Sequence, residues 1–415
     1  RNYQHIQEKQ EPSKVQSHRF MKKQAIITGG LITSSGYGVH GRQIARVINN
    51  RPELECTLRA TIWGNTPFML DDFEEKEMLD KMNDRNSLNI QKYDVSFQVI
   101  LPDEFKQDYA DFNIGISAAV ETDRCSSKWI DDINKMNLMI VPSTHIKRTL
   151  LNSGNITIPL EVVPECFPSY LENKELVCDL PTEFEPTFNF LHIGQLGSQT
   201  EEEDRKGIIT LIKTFCRAFE ENKDVGLVLK TNSSRNTTID RQITKDILSE
   251  CIKKYRKGKY PKIKLIHGPM SQLDVCKLYK HPKIKAFVSL TKGEGFGLPL
   301  LEAAAAGLPI IATNWSSYLD FLNLSEKSFI KVNYSLQEVV KSRIDGRIFV
   351  EGAKWAVVDE DDTIRKMRRL HESYSLPKQW ALDLQPKILE NYNFTSIEQR
   401  LNEVLDKYYF GLVNT

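Results

Sequence analysis

Short apolar runs alternate with amphipathic stretches along most of this chain. Gln24-Ala-Ile-Ile-Thr28, with the apolar run Ala25-Ile-Ile27, ends in the glycine-rich Gly29-Gly-Leu-Ile-Thr-Ser-Ser-Gly-Tyr-Gly38. Such a run, without polar alternation, reads as a parallel strand buried on both faces. Residues 39–49 follow with Ile44, Val47 and Ile48 at helical spacing. Further strands fit 56–63, 95–101, 111–116 and 138–141, with a helix over 128–136. The alternation then restarts, with strands at 188–193, 225–230, 262–266, 286–290 and 309–313 and helices at 206–220, 238–255 and 271–279. Between the halves, Pro159, Pro164, Pro168, Pro181 and Pro186 mark a linker near 165–186. The βα alternation predicts an α/β fold of two Rossmann-like, doubly wound parallel-sheet domains facing a cleft, over 21–170 and 185–390. Residues 1–20 are polar without a core pattern; they read as a leader or added segment, or as part of a longer polypeptide.

Ligands bind at the carboxyl ends of the strands in such folds. The strand ends here carry Gly29-Gly30 through Gly38, Glu121-Thr122, Pro142-Ser143, His192-Ile-Gly194, Lys230-Thr-Asn232, His267-Gly268 and Gly293-Glu294. Glycines, small polar groups and single acids or bases suit a polar, phosphate-bearing ligand.

The most informative stretch is Thr291-Lys-Gly-Glu-Gly-Phe-Gly-Leu-Pro-Leu-Leu-Glu302, continuing to Gly307 and Pro309. It reads as strand, glycine loop, short helix, strand. Pro299 suits the first helical turn and Gly307 a left-handed helix end. The N–H groups and dipole of that helix favour an anion, and Gly295 and Gly297 let the backbone approach it. Phe296 and Leu298 complete the turn. Helical side chains tilt toward the N-terminus, so Glu302 points back toward Glu294. Two acids beside a phosphate site are good acceptors for sugar hydroxyls. The arrangement suits a nucleotide-sugar, with the diphosphate on the helix end, a hexose hydroxyl on Glu294 and a ribose hydroxyl on Glu302.

These residues resemble the E-x7-E signature of the retaining GT-B glycosyltransferases, in particular family 4 (group 1). The resemblance implies a GT-B architecture in which the amphipathic segment 394–415 crosses back onto the first domain. Arg205-Lys206-Gly207 is similar to the family's R/K-K-G element, where the lysine neutralises the donor diphosphate; Lys206 takes that place. The family's arginine just past the preceding strand is missing, because Gly194-Gln-Leu-Gly197 stands there. Arg205 or Lys230 is the substitute, and Lys230, at a strand end, is the better placed. Ala119-Val-Glu121-Thr-Asp-Arg124 with Trp129 and Val141-Pro-Ser143 resembles another family element. Where many relatives place a histidine near the donor sugar, this chain has Glu121. The loop with Gly36 and Gly38 is expected near the donor diphosphate or acceptor, and His267 among the donor-binding residues. By this resemblance Glu294, Lys206 and Glu121 are catalytic.

The activity implied is transfer of a hexose from a nucleotide-diphosphate sugar, GDP- or UDP-linked and leaning to a GDP-mannose type. The acceptor is a saccharide or lipid-linked glycan in surface polysaccharide synthesis, and the anomeric configuration is retained. The alternative is a catalytically silent sugar- or nucleotide-binding module of a larger assembly.

Composition narrows the remaining readings. A net charge of +1 on 415 residues argues against a nucleic-acid partner. Seven cysteines without C-x-x-C spacing read as reduced thiols of a cytoplasmic protein. No apolar run is long enough to span a bilayer. Gly36-Tyr-Gly-Val-His-Gly41 is formally G-x-G-x-x-G, but it starts well past the strand end and the next strand lacks the ribose-binding acid, so nicotinamide binding is not expected. The eight histidines form no zinc motif. Asp359-Glu-Asp-Asp362 is read as a solvated acidic turn with no apolar strand before it, not a metal-binding D-x-D. No cofactor and no essential metal are expected. Residues 251–285 hold eleven Lys or Arg against one Asp, a basic face that suits either solvent or peripheral contact with anionic lipid at the inner face of a membrane.

Overall fold

The structure, a computed structural model, describes residues 22–68, 76–82, 92–181 and 183–411. The leading segment 1–20 and the last residues of the 394–415 expectation lie outside them.

The first set of apolar runs forms a parallel sheet. Its strands are β1 (Lys23–Gly29), β2 (Leu54–Ala60), β3 (Tyr93–Val99), β4 (Ala110–Ile116), β5 (Leu138–Val141) and β6 (Leu160–Val162), in the order β2-β1-β3-β4-β5-β6. Ala25 pairs with Cys56 on one side and Val95 on the other, and Ile26 and Ile27 are fully buried. The second sheet repeats the plan with β7 (Phe188–Ile193), β8 (Val225–Lys230), β9 (Lys262–Ile266), β10 (Ile284–Ser289), β11 (Ile310–Thr313) and β12 (Ile330–Val332), in the order β12-β11-β10-β7-β8-β9. The order reverses at β1/β3 in one sheet and at β7/β10 in the other. Loops leaving such neighbours diverge and open a crevice at the strands' carboxyl ends.

The helices are α1 (Gly36–Asn49), α2 (Lys76–Met82), α3 (Ser127–Ile133), α4 (Thr144–Ser153), α5 (Ile208–Ala218), α6 (Thr238–Tyr255), α7 (Gln272–Tyr279), α8 (Leu298–Ala305), α9 (Leu319–Leu322), α10 (Glu360–Glu372), α11 (Ser375–Asn391) and α12 (Phe394–Leu405). α12 returns to the N-terminal lobe: Asn50 donates to Glu398 at 2.7 Å, and Arg51 pairs with Asp406 at 2.8 Å and lies over the Phe410 ring. The sequence expectation of a strand over 56–63 runs too long. β2 stops at Ala60, Ile62 is 88% exposed, and Trp63 stacks on Tyr37 with ring centroids 4.0 Å apart.

An antiparallel hairpin, β13 (Tyr334–Glu338) and β14 (Lys354–Val358), was not legible as a sheet of its own. It buries Trp355 in a cluster with Ala119, Val120 and Trp129 of the N-terminal lobe. Asp123 N donates to Lys354 O at 3.0 Å and Lys354 N to Asp123 Oδ1 at 2.7 Å, while Ala356 N donates to Lys292 O at 2.9 Å. The hairpin therefore ties the loop after β4 to the loop after β10. It also corrects the reading of Asp359–Asp362: an apolar strand does precede this segment. Asp359 caps α10 by accepting Asp362 N at 2.9 Å, and Asp362 is buried, accepting Asn333 N at 2.8 Å. These acids organise a helix start.

All seven cysteines are free. Among the described residues no helix is long and apolar enough to cross a membrane. Several cations of the basic stretch 251–285 are engaged: Lys277 pairs with Asp179 at 2.6 Å, Lys257 with Glu220 at 3.0 Å, and Lys264 lies over Phe184.

Candidate functional site

The turn between β10 and α8 is built by its glycines, each for a different reason. Gly297 is the α8 N-cap at φ 101°, a left-handed conformation that a side chain resists. Pro299 follows in the first turn, where a missing N–H costs no helical bond. Gly307, at φ 71°, closes the helix: its N–H donates to Ala304 O at 3.0 Å and Leu308 N to Ala303 O at 3.0 Å. Gly293 and Gly295 answer to the other lobe. A Cβ on Gly293 would stand 1.9 Å from Glu121 O, and one on Gly295 2.7 Å from Ala118 Cβ. Ser143 Oγ also donates to Gly295 O at 3.0 Å. Gly295 therefore also clears the N-terminal lobe.

Phe296 needs a correction. Its ring is 3% exposed and packs against Phe321 and Tyr392, so only its backbone is left to meet a ligand. Leu298, the first residue of α8, is half-buried against the same core. Its contribution is a first-turn N–H, of the kind that lacks an intrahelical acceptor.

Four charged side chains from both lobes meet at this turn. Lys206 Nζ lies 2.7 and 2.8 Å from the two oxygens of Glu294. Arg205 donates to Gly293 O at 2.6 Å, pairs with Glu121 Oε1 at 3.1 Å and lies 3.5 Å from Glu294 Oε2. Burial opposes the charge on Glu294, but Lys206 and Arg205 outweigh it and hold the carboxyl below its ordinary range. Burial lowers Lys206, with Glu294 opposing and Arg205 adding to the shift. Two acids and two bases thus balance within one partly buried cluster. Arg205 joins this cluster, while Gln195 Nε2 donates to Asn65 O at 3.4 Å and to Ser233 O at 3.3 Å.

Ser316 and Trp315 belong to the site and were missed from sequence. Ser316 Oγ accepts Glu294 N at 2.8 Å and donates to Glu294 O at 2.9 Å, from a backbone held at φ 108°. The Trp315 ring abuts Gly293 and makes an edge contact with His145 at 4.9 Å. Tyr37 reaches Ser117 Oγ at 2.8 Å. Trp315 and Ser316 directly follow the end of β11, so carrying the list of strand ends one strand further would have found them.

Other expected residues lie elsewhere or act differently. Gly36 and Gly38 lie in the first turn of α1, with Ser35 Oγ accepting Gly38 N at 3.0 Å. A Cβ on Gly38 would collide with Thr33 O, whereas Gly36 faces open space. Lys230 Nζ donates to Gly268 O at 2.8 Å, tying the ends of β8 and β9 together, and no contact joins it to the Lys206 cluster among the described residues. The buried His267 ring holds Asp240 Oδ2 through Nε2 at 3.2 Å, and Asp240 in turn accepts Ser233 N and Asn236 N. That pair orders the 233–237 loop. Glu302, in the opening turns of α8, is half-buried; burial raises its pKa to about 7, partly offset by the Tyr279 hydroxyl. Among the described residues no group of three or more His, Cys, Asp and Glu could hold a metal ion.

This geometry has counterparts. Residues 203–345, which include Arg205, Lys206, Glu294 and Glu302, match the family model of the glycosyl transferases group 1. Sucrose-phosphate synthase of Zea mays is 34% identical over 133 residues, 29% of this chain and 11% of the maize protein. The chain thus matches about a tenth of that relative's length. Among solved structures, the Anabaena HepE protein in complex with UDP and glucose superposes with a TM-score of 0.62 at 12% identity, covering 93% of this chain and 100% of that one. Sucrose-phosphate synthase from Thermosynechococcus elongatus gives 0.62 at 13% identity, covering 94% and 100%. The fold is GT-B. The matched segment places the group 1 likeness on the second sheet, which carries Lys206 and Glu294. The GT-B lobes bring Glu121 to them from the first.

Proposed function

We propose that the protein is a retaining glycosyltransferase of the family 4 type, transferring a hexose from a nucleoside-diphosphate sugar to a saccharide or lipid-linked acceptor. The observation that carries this reading is the Lys206–Glu294 ion pair at the switch point of the second sheet, beside the α8 N-terminus and facing Glu121. Neither member suits a purely structural role, since a partly buried ion pair contributes little net stability.

Cleaving the bond from the anomeric carbon to the diphosphate places positive charge on the sugar and negative charge on the leaving group. Lys206, Arg205 and the α8 N–H groups hold the departing phosphates; one such contact lowers a barrier by about 3–4 kcal/mol. As the diphosphate takes Lys206, Glu294 is released to accept hexose hydroxyls. The ion pair of this structure is thus exchanged for two ligand contacts. Ser316 keeps the Glu294 backbone still during the exchange. Glu302 receives the ribose, and Glu121 stands on the acceptor side. In this reading the acceptor oxygen attacks from the same face as the departing diphosphate, whose oxygen takes the acceptor proton, and the anomeric configuration is retained. Closure of the lobes excludes water. No essential metal is required in this scheme, because the cations at the diphosphate are side chains.

HepE and the pneumococcal O-GlcNAc transferase GtfA were both solved in complex with UDP, and GtfA superposes with a TM-score of 0.50 at 15% identity, covering 83% of this chain and 61% of that one. A uridine diphosphate sugar is therefore the first donor to test, with guanosine donors second. Hydrolysis of a donor panel in EDTA tests the reading: release of one nucleoside diphosphate supports it, and binding without turnover of any donor points to a silent binding module.

A further inference from the structure

A cavity of about 210 Å³ lies where the two lobes join. Its walls come from four parts of the chain: α1 of the N-terminal lobe, the linker at 166–169, the first residue of α7, and the first residue of the returning helix α12. A cavity of about 150 Å³ already admits a benzene-sized molecule, so this one has room for a small organic ligand. None of its lining residues belongs to the Lys206–Glu294 cluster or to the α8 turn.

The walls are set before any ligand arrives. Gln43 of α1 accepts Cys166 N at 3.0 Å and donates to Cys166 O at 2.8 Å, while Phe167 N donates to Tyr392 O at 3.2 Å. The linker is thus fixed to α1 on one side and to the turn before α12 on the other. Arg42 is only 8% exposed, and its Nη1 donates to Leu31 O at 2.9 Å and to Thr33 O at 2.7 Å, which anchors the guanidinium in the wall. Arg46 lies one turn further along the same face of α1 and is exposed.

The chemistry of this lining is one-sided. Two guanidinium groups contribute to it and no acid does. Gln272 and Phe394 begin α7 and α12, so the starts of two helices meet the same space, where N–H groups and partial positive charge collect. The cap residues Ser271 and Asn393 accept Asp274 N at 3.0 Å and Ser396 N at 2.8 Å, which leaves the N–H groups of Gln272 and Phe394 without an intrahelical acceptor. Asp274, the acid in the first turn of α7, does not line the cavity. Ser169 adds a hydroxyl, and Pro168 and the Phe394 ring give an apolar side.

Donors that converge from several elements suit the three terminal oxygens of a phosphate monoester better than the two coplanar oxygens of a carboxylate, and guanidinium groups match phosphate through paired N–H bonds. We propose that this cavity binds a small phosphomonoester, with the phosphate on Arg42 and Arg46 and the carbon body against Pro168 and Phe394. Because its walls belong to both lobes, the bound ligand ties them together at the linker. The site is separate from the donor turn and does not depend on the nucleoside-diphosphate reading.

Thermal melting and calorimetry of the full chain test this with glucose 6-phosphate and glycerol 3-phosphate, each with and without excess UDP, and with glucose and glycerol as controls. At least one ester should bind and raise the melting temperature, as a ligand of the folded state alone does, whereas glucose and glycerol should not. Binding should persist in excess UDP. Arg46→Gln removes one charged partner from an exposed position and should weaken binding at least about tenfold, the scale of one hydrogen bond to a charged group. Gln272→Glu should weaken it similarly by repulsion, and an acid there favours the start of α7, so the fold is kept. Cosedimentation with phosphatidic acid vesicles but not phosphatidylcholine vesicles, lost in Arg46→Gln, would assign the phosphate to a lipid headgroup; binding of the soluble esters alone would assign it to a free metabolite. Binding of neither ester nor phosphatidic acid overturns the proposal. So does ester binding that survives both substitutions, and so does displacement by UDP, which would put the phosphate on the donor turn.

Discussion

Lys206 Nζ contacts both carboxylate oxygens of Glu294, at 2.7 and 2.8 Å, so the residues assigned to the two ends of the scissile bond hold each other in this structure. Donor binding must separate them. Glu294→Gln weakens the pair without emptying the space. Steady-state kinetics and calorimetry should then diverge: turnover falls at least about 100-fold, whereas affinity for the nucleoside diphosphate alone stays the same or tightens. Glu294 then acts on the sugar and not on the phosphate. Lys206→Ala should lower turnover by about 100- to 1,000-fold, the loss typical of one removed transition-state contact, and should weaken diphosphate binding as well.

Ser316 makes two hydrogen bonds to the backbone of Glu294 and touches no other part of the cluster among the contacts described. Ser316→Ala removes both. Each net hydrogen bond contributes about 0.5–1.5 kcal/mol, so turnover should drop by about tenfold while the donor KM changes little. An equal rise in KM with unchanged turnover would mean that Ser316 serves binding alone.

Gly293 marks how closely the lobes meet, since its Cβ would fall 1.9 Å from Glu121 O. Gly293→Ala should keep both lobes folded and prevent this closure. The expected signature is a melting temperature within a few degrees of wild type, a larger radius of gyration by small-angle scattering, and turnover reduced by about 100-fold or more. Unchanged turnover would show that this approach of the lobes is unnecessary.

Glu302 gives the pH dependence. Burial raises its pKa from 4.5 to about 7. Because the folded value exceeds the unfolded one, the folded state binds the proton more tightly. Stability from this group is therefore full below about 4.5 and is lost as pH rises through about 7. Binding runs the other way, since the carboxylate is the better acceptor for a ribose hydroxyl. Nucleotide affinity should rise between pH 6 and 8, and Glu302→Gln should flatten that profile.

The parallel sheets were legible because short apolar-rich runs alternate with amphipathic stretches, and 188–193 and 225–230 match β7 and β8 residue for residue. The α8 turn was legible because Pro299 and Gly307 have few other uses. The hairpin β13–β14 was not: Tyr334–Glu338 is exposed along its whole length, so no apolar pattern announces it. Site geometry was legible only where it lay within one segment. Glu294 could be placed by its strand end and Lys206 by the resemblance of Arg205-Lys206-Gly207 to the R/K-K-G element, but contacts 88 residues apart could not be seen as an ion pair. His267 misled for a related reason. A strand-end position fixes where a residue starts, and the partner Asp240, on another helix, decides which way its ring turns.

A crystal structure with a uridine or guanosine diphosphate bound tests the central claim most directly. The expected result is the diphosphate against the α8 N-terminus, with Lys206 Nζ about 3 Å from a phosphate oxygen and Glu294 parted from Lys206. A nucleotide seated elsewhere, with the Lys206–Glu294 pair unbroken, would contradict it.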